Sequence, residues 1–181
     1  MAAEAAATAT PADADRAMVE SVVPVPMPWN GVVEKTISAP LEKVWDVASD
    51  FLGFPNVLTI EPVEGENRVA GCTRKVTNLP GRTDTDSAQW AKQKLVEINP
   101  AEHVFSYEFL ENNTGVDPGY YSTFQAKKEE GGKTFVRWAF RFSPSQVGSD
   151  RFVPFIMKGT DLYVQELEKL ANAASAVCVL I

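Results

Sequence analysis

The sequence predicts an α+β protein in which an antiparallel β-sheet is covered on one face by a long C-terminal helix. From residue 60 to residue 143, apolar and polar side chains alternate with a period of two, and turn-forming residues separate the runs. From residue 149 to residue 173 the apolar residues recur instead at helical spacing. The connections between the runs are short, which favours antiparallel pairing of sequential strands.

The composition divides the chain into a tail and one folded domain. The chain has 181 residues, of which 45% are apolar, and this is enough for one domain with a sizeable core. Residues 1–28 are rich in Ala, Thr and Pro and are predicted to be disordered, because they bury too little apolar surface to offset the entropy of ordering. We therefore expect one domain over residues 29–173 and a short tail over residues 174–181.

The domain begins with a strand and a helix. A strand is predicted over residues 32–37, and a helix follows with Ser38 as its N-cap and Pro40 in its first turn. Apolar residues then recur at helical spacing up to Phe51, which indicates a buried helix face. Gly53 and Pro55 break this helix, and residues 51–57 form a candidate second short helix.

The strand region follows, and its last run shows the clearest alternation. Val136, Trp138 and Phe140 share one face, whereas Arg137 and Arg141 share the other. One face of the sheet is therefore strongly aromatic and requires a cover, which the C-terminal helix supplies. The predicted strands span residues 61–64, 68–77, 87–98, 104–111, 120–128 and 134–143.

An arginine stands out within the second of these strands. Cys72, Arg74 and Val76 share one face of that strand, and Thr73 and Lys75 lie on the opposite, polar face. A charge on an apolar face needs a counter-charge or a wet cavity, because its burial without a partner is costly. Arg74 is therefore predicted to point into an internal, partly polar pocket. The alternative is a register shifted by one residue, with Arg74 as a solvated charge at the sheet edge.

Composition and charge exclude several classes of function. The net charge of −7 argues against nucleic-acid binding, which needs a basic surface. The single histidine, His103, follows a turn-like stretch, so that neither a His-rich metal site nor a catalytic triad is expected. No stretch is long and apolar enough to span a membrane, and residues 1–28 resemble neither a secretory signal nor a transit peptide. We expect a cytoplasmic protein with reduced cysteines.

The C-terminal residues match a lipid-modification pattern. Cys178-Val179-Leu180-Ile181 has the form Cys-aliphatic-aliphatic-X, which is a prenylation signal when it ends a chain. No polybasic run precedes it to act as a second membrane anchor. A prenyl anchor at Cys178 and a chance match are both open.

Several short phrases, in this order and spacing, resemble a known plant family. By them the chain resembles the START-like, birch-pollen-allergen-like (Bet v 1-like) superfamily, and within it the lachrymatory factor synthases. The resemblance covers residues 29–172 and implies a helix-grip fold, in which a seven-stranded antiparallel sheet wraps around a C-terminal helix and encloses a cavity. The phrases are Trp29–Gly31, Pro40–Phe51, Val63–Glu66, Gly71–Arg74, Trp90–Leu95 and Ser106–Tyr107.

The resemblance implies an isomerase or cyclase that uses no cofactor. Lachrymatory factor synthases rearrange an alkenyl sulfenic acid by moving a proton, with an arginine, a tyrosine and a glutamate facing the cavity. By the matching motifs, the arginine corresponds to Arg74 and the tyrosine to Tyr120, whereas the position of the glutamate holds Gln93. An amide orients a substrate but cannot accept and return a proton. Asp84 or Asp86 is the candidate base in its place.

The loop over residues 78–81 resembles the gate loop of the abscisic acid receptors, which belong to the same superfamily. Those receptors also carry a ligand-binding lysine before the Gly-Cys strand and a His-Arg-Leu latch. Here no lysine occurs between Lys43 and Lys75, and residues 112–119 lack the latch. The chain is therefore not expected to be such a receptor, although the loop is a candidate lid.

The candidate ligand contacts come from the inner face of the sheet, the loop and the covering helix. The expected partner is a small hydrophobic molecule, bound without a cofactor or metal. Three functions stay open: an isomerase or cyclase, a non-catalytic carrier or sensor, and a defence-associated protein with an incidental cavity. The contacts are Tyr107, Phe109, Ser122, Phe124, Trp138 and Phe155, with Leu79 and Pro80 in the loop.

Overall fold

The fold consists of seven strands, one short helix and one long helix. A computed structural model describes residues 31–55, 58–77, 89–114, 119–142 and 149–176. A short 3-10 helix, Glu130–Gly132, connects the last two strands. The strands are β1 (Gly31–Ile37), β2 (Thr59–Glu64), β3 (Thr73–Thr77), β4 (Trp90–Asn99), β5 (Val104–Asn112), β6 (Tyr121–Lys128) and β7 (Thr134–Arg141), and the helices are α1 (Leu41–Ala48) and α2 (Ser149–Ala176).

All seven strands form one antiparallel sheet. Their order is β1-β7-β6-β5-β4-β3-β2, so that β2 to β7 form a meander and the first strand pairs with the last. The predicted meander is confirmed, as are the seven strands and the long C-terminal helix that the helix-grip fold implies. The first and last strands of this order, β1 and β2, are the edges of the sheet.

The core lies between the inner face of the sheet and α2. On β7 the side chains of Val136, Trp138 and Phe140 are buried, as the alternation predicts. Val164 and Leu167 of α2 have no exposed surface and belong to the same cluster. Because apolar burial is the main favourable term in folding, this layer provides most of the stability of the domain.

The first helix begins differently from the prediction. Ser38 is not its N-cap: the helix starts at Leu41, and Pro40 is the cap, with its carbonyl accepting from Val44 N at 3.1 Å. The backbone N–H of Ser38 instead donates to Glu168 Oε1 of α2 at 2.9 Å. Pro40 takes an extended conformation (φ −64°, ψ 146°), so that the chain enters the helix two residues later than the Ser-Ala-Pro pattern indicates.

The prediction of a second short helix over residues 51–57 is also wrong for the residues that the structure describes there. Residues 51–53 form a turn, in which Gly53 N and Phe54 N both donate to Asp50 O, at 3.1 and 2.8 Å. Pro55 follows, and a residue before proline is disfavoured in the helical conformation. Residues 56 and 57 lie outside the described part of the chain.

The strand that carries Arg74 is shorter than predicted. It begins at Thr73 rather than residue 68, because residues 68–71 form a turn with positive φ at Arg68 (62°) and Gly71 (96°). Cys72, Arg74 and Val76 are buried as predicted, which excludes the shifted register. Thr73, expected on the polar face, is buried as well, and its hydroxyl donates to Gly71 O at 3.1 Å.

Candidate functional site: a buried arginine among tyrosines

The site is centred on Arg74, whose side chain is only 5% exposed. Arg74 on β3 lies directly opposite Gln93 on β4, which is 4% exposed. Arg74 Nε donates to Gln93 Oε1 at 2.8 Å. Adjacent strands thus place a guanidinium and an amide side by side on the inner face of the sheet.

The turn after α1 holds the guanidinium from the other side. Arg74 Nη1 donates to the carbonyl oxygens of Phe51 and Phe54, the second at 2.6 Å. The guanidinium carbon also lies 4.0 Å from the centroid of the Phe51 ring, which is a cation–π distance. The backbone of this turn and an aromatic face therefore fix the position of the cation.

A second contact fixes the turn itself. Asn67, in the connection between β2 and β3, accepts from Leu52 N at 3.2 Å and donates through Nδ2 to Asp50 Oδ1 at 2.8 Å. Asn67 thus holds the beginning of the segment whose carbonyls bind Arg74, on either side of Phe51. This bridge couples the β2–β3 connection to the geometry of the site.

The cation has no anionic partner within the described part of the chain, where no carboxylate forms an ion pair with Arg74. Burial lowers the pKa of Arg74 to about 10, opposed by the nearby Tyr107, Tyr163, Cys72 and Asp50. Arg74 is therefore still a cation at neutral pH. Among the described residues its Nη2 atom, which carries two N–H groups, has no hydrogen-bond partner.

Two tyrosines, Tyr107 and Tyr163, act electrostatically on this cation, and a third, Tyr120, contacts Tyr107. Tyr107 lies on β5, Tyr120 just before β6, and Tyr163 on α2. Burial raises the pKa of Tyr120 well above its ordinary value, and hydrogen bonding lowers it through Ser122 and raises it through Tyr107. Burial likewise raises the pKa of Tyr163. Tyr120 and Tyr163 are thus neutral phenols near neutral pH and act as hydrogen-bond donors. We call Arg74, Gln93 and the three tyrosines the donor cluster.

Aromatic rings continue the inner face beyond the donor cluster. Phe109 and Tyr120 have ring centroids 4.2 Å apart. Phe124 lies between Phe105 and Trp138, at 5.0 and 5.2 Å. We call Phe105, Phe124 and Trp138 the aromatic core.

The polar atoms beside the aromatic core are satisfied within the protein. Trp138 Nε1 donates to Ser122 Oγ at 2.9 Å, and Ser122 Oγ donates to Ala139 O at 3.1 Å. These two partners of Ser122 belong to the neighbouring strand β7.

The structure places Arg74 against Gln93, and it places Tyr120 against Tyr107. Arg74, Gln93 and Tyr120 lie on the same inner face with Tyr107, whose ring centroid is 6.3 Å from that of Tyr120. Phe155 on α2 is partly buried and packs against the core. Leu79, Pro80, Asp84, Asp86 and Cys178 lie outside the described residues, so that the lid, the base, the prenyl anchor and the enclosed cavity stay predictions.

Sequence reasoning missed Tyr163 and the carbonyl groups of Phe51 and Phe54. Tyr163 lies on the apolar stripe of α2, with its ring 6.1 Å from Trp138. A tyrosine on a core-facing stripe needs a partner for its hydroxyl, and this was the available signal. The two carbonyls carry no sequence signal, because any residue could supply them.

The donor cluster offers hydrogen-bond donors but no strong base. A guanidinium, an amide and phenols donate hydrogen bonds to oxygen, and none of them is a strong base at neutral pH. The described residues contain no group of three or more His, Cys, Asp or Glu able to hold a metal ion. In the same part of the chain, no helix combines the length and apolarity needed to cross a membrane.

Solved structures share this fold at low sequence identity. The protein XoxI from Bacillus cereus matches with a TM-score of 0.62 and 19% identity, over 77% of this chain and 92% of that one. A protein from Nitrosospira multiformis matches with a TM-score of 0.61 and 16% identity, over 81% and 99% of the two chains. Ginseng major latex-like protein 151 from Panax ginseng matches with a TM-score of 0.58 and 13% identity, over 77% and 94%.

A family model covers nearly the whole described domain. The model of polyketide cyclase / dehydrase and lipid transport proteins matches residues 28–175, which include all seven strands and nearly all of α2. This range contains every residue of the donor cluster. The chain, with its helix-grip fold, therefore belongs to the polyketide cyclase / dehydrase and lipid transport family.

Proposed function

We propose that this protein binds a small, largely apolar molecule on the inner face of the sheet, with an oxygen of that molecule at Arg74. One observation carries the proposal: among the described residues, Nη2 of this buried side chain has no hydrogen-bond partner. An oxygen of a ligand placed at this charged donor gains a strong, charge-assisted hydrogen bond.

The surroundings match the apolar body of such a molecule. The Phe51 ring lies over the guanidinium, Tyr107 contacts both Phe51 and Tyr120, and Phe109 packs against Tyr120. Aromatic walls with a few placed polar groups are typical of small-molecule sites. The family is described by polyketide cyclisation and lipid transport, and both involve molecules of this kind.

A second candidate is a cofactor-independent isomerase or cyclase of the lachrymatory factor synthase type. Tyr120 favours it, because burial raises its pKa and so keeps a proton available beside Tyr107. Arg74 would stabilise an oxyanion, Tyr120 would deliver a proton, and Gln93 would orient the substrate. The base would come from the loop of Asp84 and Asp86.

Native mass spectrometry of the full chain, purified from its own tissue, tests the binding proposal. We expect the protein to carry a small molecule, and the Arg74→Met variant to carry much less of it. Arg137→Met is the matched control, because Arg137 lies on the outer face of β7, paired with Glu34 at 3.2 Å. A protein that carries no small molecule and does not bind the neutral fluorescent probe phenylnaphthylamine would contradict the proposal.

Single-turnover assays with an alkenyl sulfenic acid generated in the reaction test the catalytic candidate. We expect the parent protein to form a rearranged product and Tyr120→Phe to slow this step by about 100-fold or more. Phenylnaphthylamine binding serves as the control for an intact pocket in that variant. If the parent and the variant turn over at the same rate, Tyr120 is not the proton donor.

A further inference from the structure

We propose that the ligand is an apolar carboxylate, held jointly by Arg74 and Gln93, and that Gln93 sets the preference for this charged head group over a neutral one. This inference rests on the proposed binding function and adds the chemical class of the ligand. It follows from three features of the donor cluster: the orientation of one amide, the number of donors left over, and the balance of charge.

The contact with Arg74 determines the orientation of the Gln93 amide. Arg74 Nε can only donate a hydrogen bond, so that the atom of Gln93 that faces it at 2.8 Å is the oxygen, Oε1. The amide nitrogen Nε2 is thereby left as the group that Gln93 offers to a ligand. Because the Gln93 side chain is 4% exposed, this donor is buried together with the cation.

Two nitrogen atoms on these largely buried side chains then have donors to spare. Neither Arg74 Nη2 nor Gln93 Nε2 has a hydrogen-bond partner among the residues that the structure describes. The two atoms belong to side chains that lie directly opposite each other on adjacent strands. A carboxylate has two acceptor oxygens and matches a pair of donors, whereas a ketone or alcohol has one oxygen.

The charges around the pair favour an anion. Tyr107, Tyr163 and Cys72 act on Arg74, and burial raises the pKa of both Tyr163 and Cys72, which favours their neutral forms. Among the residues that the structure describes, Asp50 is the other charged group that acts on Arg74; its Oδ1 accepts from Asn67, and it forms no ion pair with Arg74. The carbonyls of Phe51 and Phe54 supply dipoles but no charge. A neutral ligand would therefore leave a buried cation without a counter-charge, and an anionic ligand would supply it.

Gln93 is the residue that makes this preference possible. A glutamate at the same position would lie within ion-pair distance of Arg74 and neutralise it. It would also repel a ligand carboxylate and remove the Nε2 donor. The single exchange of amide for carboxylate should therefore abolish the preference for a charged head group with little change in the size of the side chain.

Two probes that differ only in the head group measure this preference. Naphthalene carboxylate and naphthalene carboxamide have the same ring and nearly the same shape, and only the first is charged at neutral pH. Their dissociation constants are obtained by displacement of phenylnaphthylamine from the parent protein and two variants. Gln93→Glu changes the site, and Gln125→Glu is the matched control, because Gln125 lies on β6 opposite Arg137 on the outer face.

We expect the parent and Gln125→Glu to bind the carboxylate about tenfold or more tightly than the carboxamide. Gln93→Glu should lose that ratio through weaker carboxylate binding, with carboxamide binding retained. Equal affinities in the parent, or an unchanged ratio in Gln93→Glu, would overturn the inference while the binding function stands. Failure of phenylnaphthylamine and both naphthalene probes to bind the parent would overturn the binding function itself.

If circular dichroism shows that Gln93→Glu does not fold, a second variant tests the inference. Gln93→Met removes the donor and adds no charge, so that the carboxylate should lose about threefold to tenfold in affinity while the carboxamide changes less. If both probes weaken by the same factor in Gln93→Met, Gln93 does not discriminate between head groups and the inference is wrong.

Discussion

The aromatic core and the donor cluster lie on the same inner face of the sheet, and the side chains of both are largely buried. They differ in whether their polar atoms have hydrogen-bond partners within the protein. Beside the aromatic core, Trp138 Nε1 and the Ser122 hydroxyl both find protein partners. In the donor cluster, Arg74 Nη2 and Gln93 Nε2 find none among the described residues. Burial alone therefore does not distinguish the two regions, whereas hydrogen-bond satisfaction does.

This difference separates a stabilising region from a binding region. A satisfied buried polar group adds rigidity at little cost, and leftover donors lower stability until a ligand supplies acceptors. The protein tolerates these donors because Arg74 is held by the carbonyls of Phe51 and Phe54 and by the Phe51 ring. Substitutions in the aromatic core should therefore reduce stability, and substitutions in the donor cluster should mainly change binding.

The largest expected effect comes from truncating the aromatic core. Phe124 has no exposed surface and contacts the rings of Phe105 and Trp138. Phe124→Ala should lower the free energy of unfolding by about 3–5 kcal/mol, because the cavity it leaves cannot close fully. Urea unfolding followed by tryptophan fluorescence measures this loss.

Phe109→Ala is the matched truncation beside the donor cluster. Phe109 is only partly buried, and its ring stacks on Tyr120. It should lose less stability, about 1–2 kcal/mol, and weaken phenylnaphthylamine binding more than Phe124→Ala does. Equal stability losses in the two variants would show that the two regions do not differ as proposed.

The periodicity of the sequence was sufficient for the main architecture. The apolar residues that recur at every second position, such as Val136, Trp138 and Phe140, are buried in the structure. The apolar residues at helical spacing on α2, such as Val164 and Leu167, are buried as well. The inward direction of Arg74 was predictable for the same reason, because its neighbours Cys72 and Val76 are apolar. Gln93 and Tyr120 were located by resemblance to a family and not by periodicity.

The local backbone geometry was not predictable in the same way. The turn at Phe51–Phe54 resembles a short helix in sequence, but its role is to present two carbonyls to Arg74. Register shifts in β4, such as the one between Leu95 and Glu97, also leave no sequence signal. Such features depend on contacts between distant segments, here between Asn67 and Asp50, which no local pattern contains.

The next largest loss of stability is expected when the Ser122 hydroxyl, which is hydrogen-bonded within the protein, is removed. Ser122→Ala should lower the free energy of unfolding by about 1–3 kcal/mol, because it leaves Trp138 Nε1 buried without an acceptor. Thr123→Ala is the neighbouring control, since Thr123 Oγ1 bonds Ser106 Oγ at 3.0 Å in a less buried position. Chemical denaturation compares the two, and a loss in Thr123→Ala as large as that in Ser122→Ala would contradict this interpretation.

Asn67 provides a test of the support behind the donor cluster. Asn67→Ala removes the contacts with Leu52 N and Asp50 and should cost about 1–2 kcal/mol of stability. Because those contacts fix the carbonyls that hold Arg74, the variant should also lose part of the preference for naphthalene carboxylate over carboxamide. Asn99→Ala is the control: Asn99 Oδ1 accepts from Ala101 N and Glu102 N in an exposed turn, far along β4 from Gln93.

Asn99→Ala should lose stability and keep the head-group preference of the parent. Asn67 holds a distant segment in partly buried contacts near Arg74, whereas Asn99 holds only its own exposed turn. A loss of preference in both variants would mean that any destabilised turn disturbs the site. Retention of the full preference in Asn67→Ala would mean that the turn keeps its place without this bridge.

The smallest effect at neutral pH, and the most specific, concerns Tyr120. Burial raises the pKa of Tyr120 in the folded protein above the value of about 10 that holds in the unfolded chain. Above that pH the unfolded chain loses the proton while the folded protein keeps it, so that ionisation stabilises the unfolded state and stability falls as pH rises. In Tyr120→Phe this side chain cannot ionise, and the free energy of unfolding of the variant should therefore fall less between about pH 8 and pH 11 than that of the parent.

Tyr163→Phe should change in the same direction, because burial raises the pKa of Tyr163 as well. Urea titrations at the two pH values measure the difference, and parallel losses in the parent and both variants would show that these hydroxyls are not shielded from water.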